Sequence, residues 1–479
     1  MQSSLKDKAI YGMIWVSFQK FGAMGIAFIS NIVLARLLSP DDYGCIGLLA
    51  IFITISNTFV FGGFSAALIQ KQNPTRIDYS TVFYWNVFIA ILSYIILFIT
   101  APYIASFYHI PKLSSILRIL SLVIIINSFS IVQLNIRRKQ LKFKSISIIQ
   151  IIAISISVIV TIYLALKGFG IWSLVCQQLI TSSITTILLW ISSVWKPILA
   201  FSFKSLKELF SYGSFLLLSD LLNSICDNIQ GIIIGRKYTA DIMGYYSQAK
   251  KMEEIPTTSI SYTVQQVTFP IYSKLQNDTK QLFNATRKSL LLMNYINIPL
   301  MFLLIVIAEP LFTLLFSEKW LPSVPYFKIL CLAGLVNCSQ SVNYQVVCAV
   351  GKSNKIFKWN IIKRLLGIIF IVIGMNWGVK GILFAMVIGF YTTFIINAIV
   401  ATKETGYSLL MQIKDMIPII TICILTSLIT NALANMTDYN YILSMIFQII
   451  LFLFVYVFAS WIIKREELKE YINIIKSIF

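Results

Sequence analysis

Few residues in this chain have a type and spacing that could do chemistry. Asp41-Asp42 form an acidic pair that could hold a metal ion against a sugar phosphate, as in a membrane glycosyltransferase. The same pair lies in Ser39-Pro40-Asp41-Asp42-Tyr43, a helix start, where acids meet the positive end of the dipole. Asp241 recurs at the equivalent place later in the chain, which favours the structural role. The single histidine, His109, stands in a connector beside Pro111. Gly351-Lys352-Ser353 imitates the end of a phosphate-binding loop, but Val346 takes the place of its first glycine. The seven cysteines, at 45, 176, 226, 331, 338, 348 and 423, show no CxxC or Cys/His spacing. Asn277, Asn284 and Asn435 open glycosylation-type triplets that occur by chance frequency. We therefore expect no catalytic residues, no metal site and no cofactor.

The informative residues are ionisable groups inside apolar stretches, each costing on the order of 2.5–3.5 kcal/mol at a bilayer centre. Lys20 lies midway along the first stretch; Asp220 is its counterpart 200 residues on, with Asp227 two turns further. Lys250 and Lys251 are followed by Glu253 and Glu254, which could also pair with them along one helix. Arg118, Lys328, Lys363 and Arg364 sit at span ends, where long side chains snorkel to headgroups. Gln133, Gln150, Gln177, Gln178, Gln265 and Gln266 are either glue between helices or partners for sugar hydroxyls. Cations offer point charges to phosphate oxygens, and amides both donate and accept. A wet cavity lined by both suits an anionic, sugar-bearing substrate better than a small cationic drug.

These residues are positioned by elements of one kind. Of 479 residues 58% are hydrophobic and only 12% charged, with a mean hydropathy of +0.81. Soluble domains keep about a quarter of their residues charged, so a soluble enzyme, a nucleic-acid-binding protein and a secreted disulfide scaffold are excluded. Apolar stretches long enough to cross about 30 Å of hydrocarbon fall near 10–34, 43–68, 80–106, 115–135, 146–166, 171–194, 208–235, 289–315, 324–349, 359–376, 381–402, 415–434 and 441–463. A further stretch, 243–272, carries Lys250, Lys251, Glu253, Glu254 and Pro256. Charge decides its status. With it counted and the N-terminus inside, the other-side loops hold only Arg36, Lys112, Lys167, Arg236, Lys237, Lys319 and Lys380 of the 39 Lys and Arg. Without it, the basic runs after 352 and 464 would be outside, against the positive-inside rule. The net charge of +20 is thus topological, and no nucleic acid is implied. Gln19-Lys20 interrupts the first apolar stretch, so it reads as a retained span, not a signal peptide. The expectation is an all-α polytopic membrane protein of about fourteen transmembrane helices with both termini cytoplasmic. The segment 464–472 reads as a short interfacial amphipathic helix.

An internal repeat orders these spans. Tyr11-Gly12 recurs as Tyr212-Gly213, and Asn31, Arg36, Asp41 and Gly44 as Asn228, Arg236, Asp241 and Gly244. Arg118-Ile-Leu-Ser-Leu122 matches Lys328-Ile-Leu-Cys-Leu332, Asn127 matches Asn337, and Gly170-Ile171 matches Gly381-Ile382. An even number of spans separates the copies, so both halves share one topology. We expect two pseudo-symmetric six-helix bundles, 1–200 and 201–403, followed by two extra helices and a tail over 404–479.

Several segments together resemble the bacterial polysaccharide exporters, the O-antigen and exopolysaccharide (Wzx-like) flippases. Leu34-Ala35-Arg36-Leu37-Leu38-Ser39-Pro40-Asp41-Asp42-Tyr43-Gly44 resembles the end of their first span. Ile104–Tyr108, Gly168–Val175, Met243–Lys250 and Phe269–Gln276 complete the likeness, which runs from about residue 5 to 405. The family lies in the multidrug/oligosaccharidyl-lipid/polysaccharide flippase superfamily. The resemblance implies transport of an undecaprenyl-pyrophosphate-linked oligosaccharide to the outer leaflet of a bacterial inner membrane. Its substrate would then be polymerised outside, so polysaccharide polymerase and glycosyltransferase partners are implied. It also implies that cavity cations meet the pyrophosphate; by location these are Lys20, Arg36, Arg236, Lys250 and Lys251. Asp220, Asp227 and Glu253 are the candidates for proton or sodium coupling. A drug or ion antiporter of the same superfamily and a membrane glycosyltransferase or polymerase are the alternatives.

Overall fold

The computed structural model describes residues 5–61, 63–434 and 441–463. Long apolar runs become long helices because a segment in hydrocarbon must satisfy its backbone internally. In chain order these are α1 (Leu5–Leu37), α2 (Pro40–Phe61), α3 (Phe64–Gln70), α4 (Arg76–Phe107), α5 (Leu113–Leu120), α6 (Leu122–Ser128), α7 (Ile131–Lys139), α8 (Phe143–Leu166) and α9 (Ile171–Ile191). They continue as α10 (Phe203–Lys237), α11 (Ala240–Leu275), α12 (Thr279–Val306), α13 (Ala308–Phe316), α14 (Val324–Ala349), α15 (Ser353–Gly374), α16 (Gly378–Thr405), α17 (Leu409–Ala434) and α18 (Tyr441–Ile462). Among the described residues, eleven stretches are long and apolar enough to cross a membrane, and one of them, Lys358–Thr405, contains most of α15 and all of α16. The polar α10 and α11 are not among the eleven. The expected amphipathic segment 464–472 and Asn435 lie outside the described residues.

The chain forms two compact units, Met1–Gly244 and Tyr245–Phe479. The first includes α10, which packs on α2, α3 and α4. Two close approaches at glycines of this contact explain that adhesion. The second apolar stretch breaks at Gly63, whose φ of 70° separates α2 from α3. There the chain lies so close to α10 that a Cβ on Gly63 would come 2.1 Å from the Gly213 carbonyl oxygen. At the other end of α10, a Cβ on Gly235 would meet the Leu48 side chain at 1.9 Å. Between them the Thr58 and Ser224 hydroxyls bond at 3.1 Å. Phe64, Val82, Phe83, Val132 and Leu209 bury one apolar cluster of this unit, with Trp190 and Trp195 packed on it.

In the second unit α14 packs against α12 and α16, and α17 against α12 and α18. Val264, Tyr272, Leu282, Leu290, Val342, Val346 and Tyr407 form its main buried cluster. Helix starts are capped where the sequence offers the residues. Asp278 accepts from the Gln281 N–H to begin α12, and Gly406, left-handed at φ 74°, closes α16.

Candidate functional site

The acidic pair is engaged in holding helix α2. Asp42 Oδ2 accepts from the Ser39 N–H at 3.0 Å, and the Asp42 N–H donates back to Ser39 Oγ at 3.2 Å, a capping box. Asp41 pairs with Lys112 at the start of α5. Burial alone would lower the Lys112 pKa, but the Asp41 carboxylate outweighs it and raises that value. Among the described residues no group of three or more His, Cys, Asp or Glu could hold a metal ion.

The first unit carries five of the expected site residues. Lys20 is half-buried on α1, next to Gln19, which donates to Gln150 of α8. Arg36 is exposed at the end of the same helix. Asp220 and Asp227 are exposed on α10. Arg236, at the end of α10, meets His109 Nε2 at 2.5 Å and lies over the Phe107 ring at 5.1 Å. A guanidinium has donors only, so the imidazole nitrogen is the acceptor of this contact.

The second unit carries the other three, all on α11. Lys250 reaches Glu254 Oε1 at 3.7 Å, the i,i+4 pair its spacing allows. Lys251 is exposed. Glu253 is 8% exposed, with Oε1 lying 2.9 Å from where a Cβ on Gly334 of α14 would sit. Glycine at 334 is what leaves room for the carboxylate. Asn297 of α12 lies beside this point, donating to the Gly334 and Leu335 carbonyls at 2.9 and 3.2 Å. Ser339 donates to Asn294 at 2.7 Å. Asn343 and Gln412 exchange bonds at 2.9 and 3.2 Å. These buried amides escaped the sequence reading, which picked out glutamines of the spans and passed over these positions. Asn294 and Asn297 one turn apart on α12, and Ser339 and Asn343 one turn apart on α14, were the trace that was present.

Other polar groups bind helices together. Gln133 donates to the Trp195 carbonyl at 3.2 Å, and Gln177 to Ser30 at 3.3 Å, as glue. Arg118 donates to the Phe98 carbonyl at 3.3 Å and stacks on that ring. Lys363 donates to Asn397 at 2.7 Å. A cluster the sequence did not announce gathers at the base of α4. Asp78 is 4% exposed and accepts from Ser205, the Thr75 N–H and Lys71, while Lys71 also reaches Glu208 at 3.2 Å. Lys139 closes the end of α3 by donating to the Leu68, Ile69 and Lys71 carbonyls.

Residues 33–325 match the polysaccharide biosynthesis protein family, and the chain belongs to it. Among curated relatives, the teichuronic acid biosynthesis protein TuaB of Bacillus subtilis (strain 168) is 28% identical over 74% of each chain. The succinoglycan biosynthesis transport protein ExoT of Rhizobium meliloti (strain 1021) is 26% identical, over 73% of this chain and 71% of its own. Among solved structures, the lipid II flippase MurJ in an inward closed conformation superimposes with a TM-score of 0.76. That match covers 95% of this chain and 99% of MurJ at 18% identity, and so establishes a shared fold.

Proposed function

We propose that this protein is a flippase that carries an undecaprenyl-pyrophosphate-linked oligosaccharide from the cytoplasmic to the outer leaflet of a bacterial inner membrane. The observation that carries this reading is the family match over 33–325, joined by a relative named as a transport protein and a flippase of the same fold. Fourteen spans follow when α15 and α16 are counted separately and the polar α10 and α11 are added to the remaining stretches. Both termini then lie inside. The two halves would be six-helix bundles over 1–200 and 201–403, with α17 and α18 appended.

Transport would proceed by alternating access, with the headgroup crossing in water and the polyprenyl tail remaining in lipid. Lys20, Arg36, Arg236, Lys250 and Lys251 would neutralise the pyrophosphate; Asp220, Asp227 and Glu253 would couple a proton or sodium ion. A net negative charge moving outward gains about 2.3 kcal/mol per 100 mV of inside-negative potential, enough to bias export. The engagement of Asp41 and Asp42 in an ion pair and a cap supports a transporter over a glycosyltransferase. Deleting the gene should make lipid-linked oligosaccharide accumulate in the inner leaflet, protected in intact spheroplasts from an impermeant glycosidase. Unchanged accessibility of that lipid would contradict the reading.

A further inference from the structure

The first unit contains a groove of about 590 Å³ between the start of α8 and the end of α9. Its walls are aliphatic, with Ile148, Ile152, Leu188 and Ile191 along it. Three of these, Ile148, Ile152 and Ile191, are also exposed on the flank of the molecule, as lipid-facing side chains are. One end is different. Lys142, Lys144, Ser145 and Ser192 line it, and both serines are bonded to one buried guanidinium. Arg137 is 7% exposed, donates to Ser145 and to the Ser192 carbonyl and hydroxyl at 2.8 and 2.7 Å, and has no carboxylate partner among the described residues. A buried charge without a counter-charge is costly unless something supplies one.

We propose that this groove is a binding site for an anionic glycerophospholipid of the leaflet at the basic end of the spans. The phosphate sits against Lys142 and Ser145, and an acyl chain runs along the isoleucines. Arg137 meets that negative charge through Ser145, which accepts from the guanidinium and donates its own proton to the phosphate, while Ser192 donates to the Leu188 carbonyl and holds the guanidinium in place. Lys144 frames the site, its ammonium lying 5.2 Å from the Trp15 ring centre. Basic pockets between helices at the headgroup level are sites of this kind. The lining also argues against the sugar-bearing carrier. It holds no amide and no aromatic ring to meet sugar hydroxyls, only two serines and two lysines beside aliphatic walls. The inference stands independently of the transport reading, because it needs only a membrane-embedded chain.

The test uses the full chain, purified and delipidated in detergent, with its thermal midpoint read against added dioleoyl phosphatidylglycerol, dioleoyl phosphatidylcholine, undecaprenyl phosphate or inorganic phosphate. Only phosphatidylglycerol should raise the midpoint saturably. Lys142→Gln should weaken its apparent affinity about fivefold, the worth of one cation at a headgroup. Ile152→Trp, which fills the groove and leaves every cation in place, should abolish the shift. A photoactivatable phosphatidylglycerol should label α8 or α9 in the wild type and not in Ile152→Trp, which keeps the test valid if that variant alters the midpoint by itself. Equal shifts with phosphatidylcholine or inorganic phosphate, a larger shift with undecaprenyl phosphate, or labelling unchanged by Ile152→Trp would each overturn the assignment.

Discussion

Gly44 and Gly244 occupy equivalent places in the internal repeat, and each leaves room for the backbone beside the other. A Cβ on Gly44 would come 1.8 Å from the Ala240 carbonyl oxygen, and one on Gly244 would come 2.0 Å from the Pro40 carbonyl oxygen. The starts of α2 and α11 therefore pass backbone to backbone, each helix supplying the glycine that the other's first turn needs. Gly44→Ala or Gly244→Ala should cost about 1–3 kcal/mol, as overpacking against an unyielding neighbour does. Thermal unfolding in detergent should show a lowered midpoint for each. Gly25→Ala, with no atom within 4 Å of the added Cβ, is the control and should not lower it.

The Asp78 cluster should be a strong point of the first unit. Asp78→Ala removes the capping box of α4 and leaves Lys71, among the described residues, with Glu208 as its carboxylate partner. We expect a loss of about 2–4 kcal/mol, from the cap and the broken buried pair together. Ser205→Ala should cost less, about 1.5 kcal/mol, since it removes one hydrogen bond to a charged acceptor. Chemical unfolding curves of the two variants would check that order.

Lys112 has a pKa held above its ordinary value, because its bond to Asp41 outweighs the opposing effect of burial. A group raised in the folded state stabilises fully below its unfolded pKa, about 10.4, and loses that contribution as pH rises through the folded value. The midpoint difference between wild type and Lys112→Gln should therefore be constant from neutral pH to about 10 and shrink above it. A difference unchanged across the alkaline range would contradict the pairing.

Glu253→Gln preserves the shape that fits beside Gly334 while removing the charge. If Glu253 couples a cation, the variant should fold like wild type and transport without responding to an imposed proton or sodium gradient. Transport that keeps its gradient response in Glu253→Gln would exclude that role.

Much of the helical architecture could be read from sequence, because a membrane span must be long and apolar and its ends collect basic residues. The doubtful stretch 243–272 is helical within α11, but it is not among the stretches apolar enough to cross a membrane. The break at Gly63 was not legible: its cause is the backbone of Gly213, 150 residues away, and no local pattern encodes that approach. Asp41-Asp42 could be read as a helix start because capping is local. Asp78 could not, because its partner Ser205 is 127 residues distant. Likewise Arg137 looks like one more loop cation in Arg137-Arg138-Lys139, and only packing distinguishes it as buried.

The most direct test of the transport reading is reconstitution. Purified protein in proteoliposomes, with undecaprenyl-pyrophosphate oligosaccharide extracted from the source cell, would be assayed at set membrane potentials beside Lys20→Gln and Arg36→Gln. The account predicts movement of the lipid-linked sugar by wild type, faster with the potential driving negative charge outward, and loss of movement in both folded variants. Absence of movement by wild type under any gradient would contradict it.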